Sequence, residues 1–324
     1  MKPSFAISAD GGDITGAVKD RLMELRVNDE AGNQSDTVEI RLDDRGGTLA
    51  LPRKGTQLSV AIGYEETGLV DKGLYVVDEV EGESAASSLT IKAKAADMRS
   101  SLKAAKTRGW DGKTLGDIVN TIAGEHGLQA KVAPALAGMN FEHVDQTNES
   151  DMHFLTRLAK QYDAIAKPAG EYLVMVPRGE AKSATGKSLP SVSLTRKDIT
   201  SYRFTIAERG KYGKVIAHYR DEGKAEDVAV TYGDGEPAYT IRHPYQNFEQ
   251  AYAAAKAKKE ALDRGTATVG VTMPGNADVA AEGKVTLSEC RDGVDGTWVV
   301  TKATHVITGT GGFSTEFDGE TPKS

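Results

Sequence analysis

The sequence predicts a mainly β fold with an α+β insertion. Two antiparallel β regions, each a barrel or a sandwich, lie on either side of a smaller α/β unit. Three observations carry this expectation. The first hundred residues alternate apolar and polar at the two-residue period of half-buried strands, between glycine-rich turns. From about residue 105 the apolar spacing becomes helical, and after about residue 178 the strand period returns. A run of three strands near the end of the first region also recurs near the C-terminus.

In the first region Leu22–Val27 alternates imperfectly, whereas Thr37–Leu42, Gln57–Ile62 and Ser88–Ala93 alternate cleanly. The turns between them are Asp10-Gly11-Gly12-Asp13, Glu30-Ala31-Gly32-Asn33 and Arg45-Gly46-Gly47. In the middle region Thr114 caps a stripe of Leu115, Ile118, Val119, Ile122 and Ala123. Asp117 stands where a capping-box acid belongs, and Gly127 is the stop. A second helix is expected from Ser150, with Phe154, Leu155, Leu158, Ala159 and Tyr162 on one face, followed by a buried strand Tyr172–Pro177. The polar stretch Arg178–Pro190 reads as a loop. Beyond it strands are expected at Tyr202–Ala207, Lys214–Arg220, Asp227–Tyr232, Ala267–Met273, Lys284–Ser288 and Trp298–Ile307. One amphipathic helix interrupts them at about 247–264, its apolar face carrying Phe248, Ala251, Tyr252, Ala255 and Leu262, and Gly265 closes it.

The recurring pattern is Gly55-Thr-Gln-Leu-Ser-Val60, Gly73-Leu-Tyr-Val-Val77 and Leu89-Thr-Ile91. Its second copy is Gly283-Lys-Val-Thr-Leu-Ser288, Gly296-Thr-Trp-Val-Val300 and Phe313-Ser-Thr315. It reads as a duplication; the alternative is two unrelated antiparallel sheets with similar hairpins.

Composition narrows the function. The 324 residues fit two or three domains. Forty Lys and Arg against 47 Asp and Glu give a net charge of −7, which argues against stable nucleic-acid binding or an anionic membrane partner. No apolar stretch is long enough for a membrane helix, and residues 1–10 lack signal-peptide order, so synthesis in a cytoplasm is expected. The single cysteine, Cys290, excludes an internal disulfide and is expected to be a buried, inert thiol.

The chemistry-bearing motifs are absent. There is no P-loop and no His-Glu-x-x-His, and Gly309-Thr-Gly-Gly312 follows a strand without opening a helix, so it is a turn. The histidines at 126, 143, 153, 218, 243 and 305 show no metal-ligand spacing; His143 and His153 flank an expected loop and read as surface residues. Acidic pairs such as Asp43-Asp44 and Glu65-Glu66 could serve a glycosidase, yet among 47 acids they read as solvated faces. No catalytic residue, metal site or cofactor is expected.

The most distinctive segment runs from Phe141 to Ala159 and contains Gln146, Glu149, Ser150, Asp151, Phe154, Leu155, Arg157 and Leu158. It resembles the Gln-x-x-Glu-Ser-Asp-x-x-Phe-Leu-x-Arg-Leu-Ala signature of the late control protein D family, the baseplate hub proteins of contractile phage tails, related to the base of type VI secretion spikes. Weaker matches accompany it: Trp110 with Lys113–Val119, Glu125–Leu128, Tyr245-Gln-Asn-x-x-Gln-Ala251, Gly296-Thr-Trp-Val-Val with His305, and Gly312–Thr315. The same signature has a plain structural reading. Ser150 is a good N-cap, Asp151 puts negative charge in the first turn, Phe154, Leu155 and Leu158 share a buried face, and Arg157 can pair with Glu149 or Asp151. The signature is therefore taken as architectural.

The resemblance implies two tube-like β-barrels, residues 1–104 and 178–324, around a small α/β domain at 105–177. It also implies a structural hub in the virion baseplate that adapts a sixfold tail tube to a threefold spike. The implied partners are a second and third copy of the chain, the tail tube protein, the central spike protein and other baseplate proteins. The rival readings are a tail-associated peptidoglycan hydrolase and, from the Thr114–Leu128 stretch, a glycan-binding module.

Overall fold

A computed structural model describes residues 1–32, 35–95, 102, 104–169, 172–178, 191–207, 212–221, 223–264 and 267–322. The first strands are β1 (Pro3–Ala9), β2 (Gly12–Asp13), β3 (Leu22–Glu30), β4 (Thr37–Asp43), β5 (Gln57–Tyr64), β6 (Gly68–Glu83) and β7 (Ser88–Ala95), with helix α1 (Thr15–Lys19) before β3. There follow β8 (Ala105–Thr114), α2 (Leu115–Glu125), β9 (Gln129–Val132), α3 (Pro134–Ala137), β10 (Asn140–Ser150), α4 (Asp151–Gln161), β11 (Ala164–Ala169) and β12 (Tyr172–Pro177). Next come β13 (Ser191–Thr195), a 3-10 turn at Arg196–Asp198, β14 (Ser201–Ile206), β15 (Lys214–Asp221), β16 (Glu226–Gly233) and β17 (Ala238–Thr240). The chain closes with α5 (Phe248–Arg264), β18 (Ala267–Pro274), β19 (Lys284–Ser288), β20 (Gly296–Thr308) and β21 (Phe313–Glu320). No described helix is long and apolar enough to cross a membrane.

The chain divides into two compact units. Residues 1–98, 190–204 and 269–319 form the first, and residues 99–189, 205–268 and 320–324 the second. The first unit holds a 13-stranded sheet in which one neighbour order occurs twice: β1-β5-β6-β7-β4-β3, then β13-β19-β20-β21-β18-β14. Rank by rank the two orders agree. The outermost pairs differ in sense, since β1 meets β5 antiparallel while β13 meets β19 parallel. The two six-strand groups are joined where β3 pairs antiparallel with β20. That joint occupies the outer edge of β3, and among the described residues no ladder closes either group into a barrel. Among the described residues the two groups are stretches of one mainly antiparallel sheet.

The repeat seen in the sequence is this duplication, with its first glycine slipped by one residue. Leu58 faces Tyr75 in one group and Val285 faces Trp298 in the other. Gly55 N–H donates to Val77 O at 2.8 Å, and Glu282 N–H to Val300 O at 2.7 Å, so Glu282, not Gly283, is the counterpart of Gly55. Both are left-handed, at φ 92° and 65°. The backbone shape is kept although only one copy uses the residue that adopts it without strain. Alternate side chains of the first group, among them Ile7, Leu25, Val27, Ile40, Val60 and Ile62, bury one face together with Ile307 and Phe313.

The second unit is built from three small sheets, β8 with β10, β9-β12-β11, and β17-β15-β16. Helix α2 has the expected capping box: Asp117 N–H donates to Thr114 Oγ1 at 3.1 Å and Thr114 N–H to Asp117 Oδ2 at 3.1 Å. Its apolar stripe meets Phe154, Leu155 and Leu158 of α4 in one core. The loop expected between His143 and His153 is instead β10, which runs directly into α4, because the ladder with β8 supplies its backbone partners. Helix α5 buries Ala251 and Ala255 on Val215, Ala217 and Val230. Phe248 and Tyr252, expected on its inner face, are 51% and 42% exposed, because alanines let the helix lie close on the sheet. The 179–190 part of the expected loop and the Gly265 stop lie outside the described residues.

Candidate functional site

The signature converges on one carboxylate. Asp151 is the first residue of α4, and its side chain is wholly buried. An ionised carboxylate removed from water is costly unless every oxygen is partnered. Oδ1 accepts from Arg108 Nη2 and Gln146 Nε2, each at 2.9 Å. Oδ2 accepts from Lys106 Nζ at 2.7 Å and from His126 Nε2 at 2.7 Å, which requires the Nε2–H form of the imidazole. Glu125 completes the array, taking Arg108 Nη1 at 2.5 Å and Lys106 Nζ at 2.7 Å. Burial alone would raise the Asp151 pKa; hydrogen bonds from Lys106, Gln146 and His126 outweigh it and hold the group at about 2.

The donors arrive from three elements. β8 carries Lys106 and Arg108 at alternate positions on one face, the end of α2 presents Glu125 and His126, and β10 turns Gln146 inward. A bulge between Gln146 and Glu149, with Asn148 at φ 49°, swings the strand into the helix. Gln146 is fully buried and bonds Arg108, Asp151 and the Glu149 carbonyl. Ser150 caps α4 as expected, its Oγ accepting from His153 N–H at 3.2 Å.

Of the two pairings open to Arg157, the structure makes the one with Glu149, in bidentate form at 3.0 and 2.8 Å, and adds the Asp145 carbonyl at 2.6 Å. The same guanidinium lies 5.2 Å from the Phe154 ring. Phe154 stacks on Trp110 at 6.0 Å, and the Arg108 guanidinium lies over the same indole at 4.4 Å. Signature and core are therefore one packed object.

Glu125, His126 and Asp151 place ligand-type atoms within 4.8 Å of one another. Lys106 and Arg108 already occupy the carboxylate oxygens there. Two resident cations repel a third, so the donor set fits an ion-pair network better than a metal centre. His143 stands apart from it, exposed between Asp111 at 2.6 Å and Asp145 at 3.1 Å, and those acids raise its pKa. Cys290 is half-buried, not buried as expected, and burial raises its thiol pKa.

Comparison with known proteins decides the family. The family model for the phage tail baseplate hub (GPD) matches residues 35–311. The chain belongs to that family. It is similar to a probable baseplate hub protein of Escherichia phage P2, with 33% identity over 99% of this chain and 93% of that protein. Among solved structures it resembles a 43 kDa tail protein of prophage MuSo2 from Shewanella oneidensis, at TM-score 0.72 and 15% identity over 98% of each chain. It also resembles an Escherichia coli component of the type VI secretion system, at TM-score 0.58 and 11% identity over 94% of this chain and 74% of that one. Those two likenesses are of fold.

In this baseplate hub the weaker sequence matches also find places. Gln246 accepts Glu142 N–H at 3.2 Å and donates to His143 O at 2.6 Å, while Gln250 Nε2 donates to Asn140 O at 2.7 Å. The Tyr245–Ala251 stretch thus reads the backbone of the signature strand with side-chain amides. In the first unit His305 is buried, bonded to Thr315 Oγ1 at 3.0 Å and near the Phe313 ring, which joins the two C-terminal matches. Lys72 Nζ lies 3.2 Å from His305 Nε2 and donates to Ala277 O at 2.6 Å. Burial and then Lys72 push the His305 pKa down to about 3. Neither Lys72 nor the network partners Lys106 and Arg108 carry a sequence signal, since nothing in a strand pattern marks which inward polar residue meets which helix.

Proposed function

We propose that three copies of this hub form a purely structural adaptor in the baseplate, between a sixfold tail tube and a threefold central spike. Residues 1–104 and 178–324 each supply a tube-like β domain, and residues 105–177 the small α/β domain. The observation that carries this reading is the six-strand neighbour order found twice in one chain. Three chains then offer six similar β domains to the tube while remaining threefold for the spike. The partners are the other two copies, the tube protein, the spike protein and neighbouring baseplate proteins. Assembly takes place in the host cytoplasm, and the finished location is the virion tail. The net charge of −7 suits a bore through which DNA passes without sticking.

The signature residues Gln146, Glu149, Ser150, Asp151, Phe154, Leu155, Arg157 and Leu158 serve architecture, since their polar atoms are spent on one another, on the side chains of Lys106, Arg108 and His126, and on the protein backbone. The chain turns over no substrate and needs no cofactor. Removing it from its phage should leave tubes without finished baseplates in electron micrographs, and supplying it in trans should restore them. Finished tails lacking the chain would overturn the adaptor reading, and release of muropeptides from peptidoglycan by the purified chain would overturn the absence of catalysis.

A further inference from the structure

Between β18 and β19 the chain crosses the first unit in a series of turns. Gly275 lies so close to the Phe313 ring that a Cβ would overlap it, and its N–H donates to Phe313 O at 2.9 Å. The Gly275 carbonyl accepts from Tyr64 Oη at 2.9 Å. Asn276 N–H donates to Thr315 Oγ1 at 2.9 Å, Lys72 Nζ to Ala277 O at 2.6 Å, and Ala281 N–H to Asp29 Oδ2 at 2.9 Å. These anchors stand on β3, β5 and β6 of one six-strand group and on β21 of the other, so residues 275–281 strap both groups across their joint. Apart from the Gly275–Phe313 bond, each of these anchors is a side chain. The register of β5 and β6 shifts between Ser59 and Ala61, where Gly73 is left-handed at φ 94°, and this bulge aims Lys72 at the strap.

His305 of β20 lies under the strap, 1% exposed. Its Nε2 is 3.1 Å from Val279 O and 3.2 Å from Lys72 Nζ, and its Nδ1 is 3.0 Å from Thr315 Oγ1. A neutral ring serves these neighbours with a single N–H. A second proton would set an imidazolium against the Lys72 ammonium where little water separates them. The groups facing this pair are Asp29 of β3, Asp36 ahead of β4, Asp71 and Tyr75 of β6, and Asp278 of the strap. With Lys72 they line a cavity of about 190 Å³. Burial lowers the Lys72 pKa, while Asp29, Asp278 and Asp36 pull it back up. The repeat marks this arrangement as particular to the joint. The pattern that aligns Gly73 with Gly296 puts Asp295 where Lys72 stands. The segment matching the strap, residues 44–54 between β4 and β5, leaves Leu51 68% exposed.

We propose that residues 275–281 are a proton-operated latch: when His305 takes up a proton, the strap lifts off as a unit while β3 and β20 stay paired. Lifting opens the cavity to water, which hydrates and separates the two cations. It also uncovers the Phe313 and Tyr64 rings, which lie 5.2 Å apart beneath Gly275. With the strap away, the clamp across the joint is gone, and the two six-strand groups gain freedom to hinge about the β3–β20 ladder.

Native-state hydrogen exchange on the full chain tests this, with rates corrected for the intrinsic effect of pH. The closed strap holds the His305 pKa down to about 3, and the open one returns it to its ordinary value. Opening then takes up one proton, so the Asn276 and Ala281 amides should lose protection about fifteenfold between pH 6.5 and pH 5. At pH 5 their protection should lie about tenfold or more below that of amides in the β3–β20 ladder. Strap amides as protected as the ladder would mean that the strap leaves only with the whole sheet, and would overturn the latch. A flat response in the parent chain overturns it as well, whether or not any variant folds. His305→Gln keeps hydrogen-bonding groups in place and takes up no proton, so the response should vanish. A fifteenfold loss that survives in His305→Gln would move the trigger to Asp29, Asp36 or Asp278 and overturn the role of the imidazole.

Discussion

Asp151 and His305 are the two buried groups on which pH acts most directly, and they act through opposite chemistry. Asp151 is held ionised at about 2, below its ordinary value, so it stabilises the fold above pH ~4 and that contribution is lost as pH falls toward 2. The difference corresponds to about 2 kcal/mol. Asp151→Asn leaves Lys106 and Arg108 short of one anion and should cost about 3 kcal/mol of unfolding free energy at pH 7. Urea unfolding at pH 7 and pH 3 measures both effects; a variant equal to the parent at pH 7 would show that the network is decorative. His305 is held neutral down to about 3, so its contribution is full above pH ~6.5 and declines as pH falls through 6 and 5. The slope should be at most about 1.4 kcal/mol per pH unit. His305→Gln should flatten stability between pH 6 and 4, and an unchanged slope would mean that other groups carry it.

At the scale of elements, the strands and helices with a clean period stand where the sequence puts them. Thr37–Leu42, Gln57–Ile62 and Ser88–Ala93 lie inside β4, β5 and β7, and the capped stripe from Thr114 is α2. β8 and β10 were illegible for a physical reason. They pair with each other in one ladder whose inward residues include Lys106, Arg108 and Gln146 beside Trp110 and Phe141, so polar side chains interrupt the apolar alternation that marks a strand. The α5 pattern points Phe248 and Tyr252 inward because large aromatic residues look interior, whereas alanines form the buried face here. The Ser150 cap and the Arg157–Glu149 pair were readable because both are local in sequence; Asp151's partners from β8 and α2 were not. The amide contacts of Gln246 give an element-scale expectation. Gln246→Ala should cost about 1 kcal/mol and speed hydrogen exchange at the Glu142 amide. Unchanged protection at Glu142 would show that the β10 edge is held by other means.

For the whole molecule, the decisive feature is that two long insertions leave a duplicated strand order intact. Residues 205–268 enter between β14 and β18, and residues 99–189 between β7 and β13, yet both six-strand groups keep the same neighbours. The sequence carried only half of this duplication, because three strands of each group share a glycine and hairpin pattern while the others share only their position in the sheet. A duplicated scaffold in one chain is what a threefold body needs to face a sixfold one. Copy number in assembled tails tests that most directly. A cryo-EM map of tails containing this chain should hold three copies, with six similar β domains around the axis. Six copies, or a ring in which each chain contributes one β domain, would contradict it.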